Sequence, residues 1–116
     1  MIRIKRAYDD VEAGDGMRIL VDRLWPRGKK KEDLSISEWY KDLAPGKELR
    51  RFAHSSGKWD EFKRLYFVEL DRDVEALKPL LKAASETDVT LIYSSWDREH
   101  NNAVALKDYL EKYHKI

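Results

Sequence analysis

Two guanidiniums, a carboxylate and an indole crowd into Asp22-Arg23-Leu24-Trp25-Pro26-Arg27-Gly28. Arg23 and Arg27 can grip a carboxylate or phosphate through paired N–H groups, and Asp22 can orient one of them. A second polar run, Tyr93 to Asn102, supplies a phenol, two serines, an indole and two amides. Ser94 and Ser95 follow a strand-like segment and precede a helix-like one, where hydroxyls and free backbone N–H groups suit an anion. Trp25 and Trp96 can stack on a planar molecule, although aromatics at strand ends are more often core. Read for structure alone, Asp22 and Arg23 tie down a loop. In the same vein, an asparagine of His100-Asn101-Asn102 caps the last helix.

Neither run holds a complete catalytic set. The chain has no cysteine, which excludes disulfides, thiolate zinc sites and a cysteine nucleophile. Its three histidines, His54, His100 and His114, lack metal-ligand spacing, so no metal site and no cofactor are called for. A serine nucleophile needs a base, and His100 is the only local one. The Gly-x-Ser-x-Gly elbow is absent.

The elements around these runs are legible in the hydrophobic pattern. Ile2 and Ile4 alternate with basic residues over 2–7, as in a short strand. Glu12-Ala13-Gly14-Asp15-Gly16 is turn material. Residues 17–24 carry a continuous Ile-Leu-Val block, typical of a strand buried on both faces. Lys29-Lys30-Lys31-Glu32-Asp33 reads as a solvated loop. Ser35 with Glu38 forms a capping-box pattern that predicts a short helix through Trp39 and Leu43, ended by Ala44-Pro45-Gly46. A further helix is expected over 47–54, with Leu49 and Phe52-Ala53 inward.

Trp59, Phe62, Tyr66 and Leu70 make one helical face over 59–71. Leu77, Leu80, Leu81 and Ala84 continue over 73–85, where Pro79 should kink the helix or mark its first turn. Val89-Thr90-Leu91-Ile92-Tyr93 is a second buried strand. Ala103, Leu106, Leu110 and Tyr113 define the inner face of a last helix.

These elements predict a single α/β domain over residues 1–116, with a small, mostly parallel sheet of three or four strands covered by helices. Ligands sit beyond the carboxyl ends of strands in such sheets. If the strands are parallel, the runs at 22–28 and 93–102 emerge on one edge and share a cleft.

The composition narrows the partners. Net charge is +1, with 23 basic and 22 acidic residues, short of the excess of a dedicated DNA binder. No stretch reaches the ~18 apolar residues of a membrane span. The N-terminus lacks the apolar core of a signal peptide, so a cytoplasmic location is expected. Charged residues make up 39% and glutamine is absent, a composition that suits a thermophile.

Val21 to Gly28, Trp39 to Pro45 with Leu49-Arg50, Trp59 to Leu70, and Thr90 to Tyr93 with Asn101-x-Ala103 together resemble the YeaO-like family, an uncharacterised branch of a large domain-of-unknown-function family. The resemblance spans nearly the whole chain in order. It implies a rhodanese- or phosphatase-type α/β fold and no established activity. Wider relatives are similar at Asp22, Arg23 and Pro26, and carry a cysteine at the end of the later strand. By motif order that position is Tyr93 here. Without a thiolate, sulfur transfer and cysteine-based phosphoryl chemistry are not credible.

The leading expectation is therefore a cytoplasmic binder of a small anionic or nucleotide-like molecule. Arg23 and Arg27 would bind charge, Asp22 would orient, Trp25 and Trp96 would flank a planar group, and Tyr93, Ser94 and Asn101 would supply hydrogen bonds. One rival is an enzyme using Asp22 or Tyr93 as acid or base. The other is a nucleic-acid-associated regulator using a basic surface of Lys41, Lys47, Arg50 and Arg51.

Overall fold

The core of the domain is one strand, β4 (Val89–Tyr93), in which every residue is buried. A computed structural model describes residues 1–53 and 57–116. In it β4 runs between β1 (Ile2–Arg6) and β2 (Met17–Leu20), parallel to both, with Leu91 opposite Ile4 on one side and Ile19 on the other. A two-residue strand, β3 (Glu38–Trp39), extends the sheet beyond β2, again in parallel. The order is β1-β4-β2-β3, four strands, all parallel, as the buried apolar runs predict.

Side chains alternate across the sheet and so feed two cores. Ile19, Val21, Val89, Leu91 and Tyr93 join the larger one, beneath α3 (Trp59–Arg72), α4 (Val74–Glu86) and α5 (Asn102–His114). Leu20, Ile92 and Ala7 join a smaller one with Leu34, closed by Trp25, Ile36 and Trp39. That second face is thus covered by a loop and one short helix, α1 (Lys31–Leu34). Arg18 is only 3% exposed in the middle of β2. Its charge is matched by Asp15 at 2.6 Å, and its Nε donates to the Leu34 carbonyl.

Several expectations need correction. The Ser35–Glu38 pair does not open a helix. Ser35 adopts a left-handed conformation that ends α1, its hydroxyl donates back to the Glu32 carbonyl, and Glu38-Trp39 pairs with Ile19 and Leu20 as β3. Beyond β3 only a single 3₁₀ turn forms, at Lys41–Leu43. The lysine run is not all loop, since Lys31, Glu32 and Asp33 belong to α1, although their side chains are exposed. The strand expected over 17–24 ends at Leu20. Pro79 lies within α4 on its exposed side and is not in the first turn. On α5 the inner aromatic is Tyr109; Tyr113 is 54% exposed. The α2 helix spans Lys47–Ala53 with Leu49 buried and Phe52 partly so; the expected last residue, His54, and the Ala53 side chain lie outside the described residues.

Candidate functional site

Because β2 and β4 are adjacent and parallel, the chain leaves both at the same edge of the sheet. Two hydrogen bonds join the departing segments. The Ser94 N–H donates to Asp22 Oδ2 at 2.9 Å, and Asn102 Nδ2 donates to the Val21 carbonyl at 3.0 Å. The segments at 22–28 and 93–102 therefore meet. Between them and α2 opens a cleft of about 1020 Å³.

Each wall has a local cause. The first is the loop after β2. Trp39 Nε1 donates to the Asp22 carbonyl, Trp25 Nε1 donates to the Lys29 carbonyl, and the two indoles pack edge to face at 5.4 Å. The second wall is the loop after β4. Arg98 grips Asp9 in a bidentate pair, and this guanidinium holds the Asp9 carboxyl down to about 2. Asp97 accepts the N–H groups of Glu99 and His100, and Asn101 caps α5 by accepting from Val104 N. The third wall is carried by α2 and the start of α3. Tyr66 on α3 donates its hydroxyl to the Leu43 carbonyl, and Glu69 accepts from Gly46 N. Those two bonds fix the turn from which α2 departs.

Of the residues expected at the site, Asp22, Arg23, Trp25, Arg27, Ser94, Trp96 and Asn101 all line this cleft. Their situations differ. Trp96 is 84% exposed at the rim, whereas Trp25 is half-buried and its N–H is already used by the loop. Asn101 is also committed, since its Nδ2 donates to the Asp97 carbonyl while its oxygen caps the helix. Tyr93 does not reach the cleft. It is 1% exposed in the main core, and burial pushes its phenol above the ordinary range.

Lys47, Arg50 and Arg51 line the same cleft as Arg23 and Arg27, as does Lys58. What the sequence presents as two separate basic features is one. Lys41 stands apart, over the Trp39 ring at 4.1 Å. Trp59 and His100 also line the cleft, with ring centres 5.1 Å apart. The Trp59–Phe62 spacing marks both as an inward helical face. It carries no sign that this face ends in a cleft, because that depends on where α2 and the β4 loop come to rest.

The charges of the walls are unbalanced. Arg23, Arg27, Lys47, Arg50, Arg51 and Lys58 face the carboxylates of Asp22 and Asp97 alone. Asp97 is paired with His100, Nδ1 to Oδ2 at 3.3 Å. None of the six cations forms an ion pair among the described residues. The Nε atoms of Arg23 and Arg50 are buried without a well-formed hydrogen bond among the described residues, and the Ser94 hydroxyl is buried against the Asp22 carboxylate.

Burial pushes the Asp22 carboxyl above its ordinary range, against hydrogen bonds from Asn102 and Ser94. A carboxyl shifted this way stabilises the fold while protonated. That contribution is complete below the unfolded value near 3.8 and is lost as pH rises through the folded one. Asp22→Asn is therefore expected to leave stability unchanged at about pH 3 and to raise it at about pH 7. The new amide oxygen can still accept from Ser94 N–H. Urea melts of both proteins at the two pH values check this, and an equal shift at both would break the link to ionisation.

The sequence matches the family described as the inactive DUF488-N3 subclade over residues 1–115. It is 43% identical to the uncharacterized protein YeaO of Escherichia coli, over 94% of this chain and 96% of that one. It is 38% identical to uncharacterized proteins of Mycobacterium bovis and Mycobacterium tuberculosis, over 94% of this chain and 92% of each. No solved structure matches it.

Proposed function

We propose that this chain, which belongs to the inactive DUF488-N3 subclade with YeaO as a relative, is a recognition protein that binds a small phosphorylated or otherwise anionic molecule. The observation that carries the proposal is the charge of the cleft. Six cationic side chains line it, against two carboxylates. An oxyanion balances that excess, since guanidinium–oxyanion bonds are among the strong hydrogen bonds of proteins. A volume of about 1020 Å³ is at the upper end of small-molecule sites and takes a nucleotide-sized ligand. Exposed Trp96 and half-buried Trp59 both line the cleft, which supports a flat group in the ligand.

Catalysis is the weaker reading. The subclade's description as inactive supports binding without turnover. Of the two acid–base candidates, Tyr93 is in the core, and among the described residues no serine hydroxyl bonds a histidine. Kinship with rhodanese- and phosphatase-type domains, in which such a cleft once held a thiolate, belongs to this proposal, as does action in the cytoplasm. Among the described residues no helix is long and apolar enough to cross a membrane.

The test is a thermal-shift panel of nucleotides and phosphorylated metabolites at constant ionic strength. Ligands that fill the cleft raise Tm by an amount that grows with concentration; a saturating ligand at a hundredfold its Kd adds about 2.7 kcal/mol. A panel in which phosphorylated compounds do no better than chloride at equal ionic strength overturns the proposal.

A further inference from the structure

Asp22 is an anomaly in an anion site. Its carboxylate lines a cleft of cations yet forms no ion pair with any of them. It repels any negative ligand that its neighbours attract. Nor is it placed by accident, since Ser94 N–H holds Oδ2 at 2.9 Å and so fixes the carboxylate at the junction of the two loops. Beside it, the buried Ser94 hydroxyl is a further hydrogen-bond neighbour of the carboxylate.

An ionised carboxylate is an acceptor only. It tolerates a bound oxyanion at close range only if a proton lies between them. Inorganic phosphate still carries a proton at neutral pH, and a monoester can take one up because its second ionisation falls at about pH 6. Sulfate has none to bring at neutral pH. A ligand with an ammonium group would also satisfy Asp22, but it would meet the six cations of the walls. The excess of cations and the Asp22 carboxylate agree on one chemistry, an oxyanion that keeps a proton near neutral pH.

We propose that Asp22 is the specificity-determining residue of the cleft: its carboxylate accepts a hydrogen bond from a proton carried by the bound oxyanion, so the site takes phosphate or a phosphate monoester and rejects sulfate. The proposal rests on the anion-binding reading above and names its substrate class. Arg23 and Arg50 supply attraction, which phosphate and sulfate feel alike. Asp22 supplies the difference between them.

The experiment is isothermal titration at neutral pH with inorganic phosphate and with sulfate, on the wild-type chain and on Asp22→Asn. Asparagine keeps the acceptor for Ser94 N–H and adds N–H donors, so it no longer penalises a proton-free anion. Wild type is expected to bind phosphate at least about tenfold more tightly than sulfate, the size of one hydrogen bond to a charged group. In Asp22→Asn sulfate gains and the ratio falls to about one. Equal binding of the two anions by wild type overturns the role of Asp22 and leaves the anion cleft standing. A ratio that survives the substitution does the same. Failure of wild type to bind either anion overturns both readings. The wild-type comparison needs no variant, so a poorly folded Asp22→Asn does not rescue the proposal.

Discussion

Replacing Arg23 and Arg50 together by alanine is expected to weaken phosphate binding by at least about a hundredfold while leaving the fold intact. Each guanidinium is assigned one or more charge-assisted hydrogen bonds to the ligand, worth about 1.5–3 kcal/mol apiece, and each 1.4 kcal/mol is tenfold in Kd. The stability side runs differently. Both Nε atoms are buried without partners among the described residues, and removing an unsatisfied buried donor relieves about 1–3 kcal/mol. The lost aliphatic stems, which cover apolar surface, cost a comparable amount and cancel most of that gain. Melting temperature should therefore change by no more than about 3 °C in either direction. Loss of binding with the fold retained separates a site from a strut. Arg18 is the internal contrast: it too has an unpartnered nitrogen among the described residues, but it is paired with Asp15, bonded to Leu34 and does not line this cleft. The double variant Arg23→Lys, Arg50→Lys keeps both charges but loses the planar fork, and should recover only part of the affinity. An unchanged phosphate Kd in the alanine pair, measured by titration, removes the cleft as the binding site.

How far the sequence anticipates this depends on how much of each feature is local. β4 is legible because five consecutive buried residues have no other economical place than the middle of a sheet. The meeting of the two loops follows from parallel neighbours, and so could be expected from the sequence on the condition of a parallel sheet. β3 could not. Two residues have no periodicity, and the Ser35–Glu38 spacing is shared by helix starts and by a serine that happens to end α1 in a left-handed turn. The site shows the same division. Asp22, Arg23 and Ser94 sit where strands end, and strand ends are visible in the pattern. Lys47, Arg50 and Arg51 enter the cleft because Tyr66 and Glu69 pin the turn before α2, contacts between residues 23 positions apart. Tyr93 misled for a related reason. It occupies the last position of β4, and the alternation of the strand turns it into the core instead of the cleft.

Gly16→Ala should be the most damaging small substitution in the chain, and it acts on the site only through the fold. Gly16 turns the chain from a 3₁₀ turn at Ala13–Asp15 into β2 with φ at 65° and ψ at −136°, a combination essentially confined to glycine. A Cβ there would overlap the Asp88 carbonyl oxygen and lie 2.9 Å from its carbon, and both belong to backbone. The neighbours cannot yield cheaply. Met17 N donates to that same Asp88 carbonyl, and Asp15 beside it holds Arg18, Lys5 and Thr90. Backbone strain of about 1–3 kcal/mol and overpacking of a similar size add, giving a loss of about 4 kcal/mol. For a domain of this length that lowers Tm by about 15 °C or more. Gly28 provides the control. It also has a positive φ, 79°, but a Cβ there meets nothing within 4 Å among the described residues. Gly28→Ala should therefore cost only the conformational part, about 1 kcal/mol. It lies on the loop that carries Arg27, so any effect it has should show in anion affinity before it shows in Tm. Paired calorimetric melts read the difference, and equal losses for the two alanines would mean that Asp88 and the start of β2 can move apart, which the register of β2 against β4 forbids.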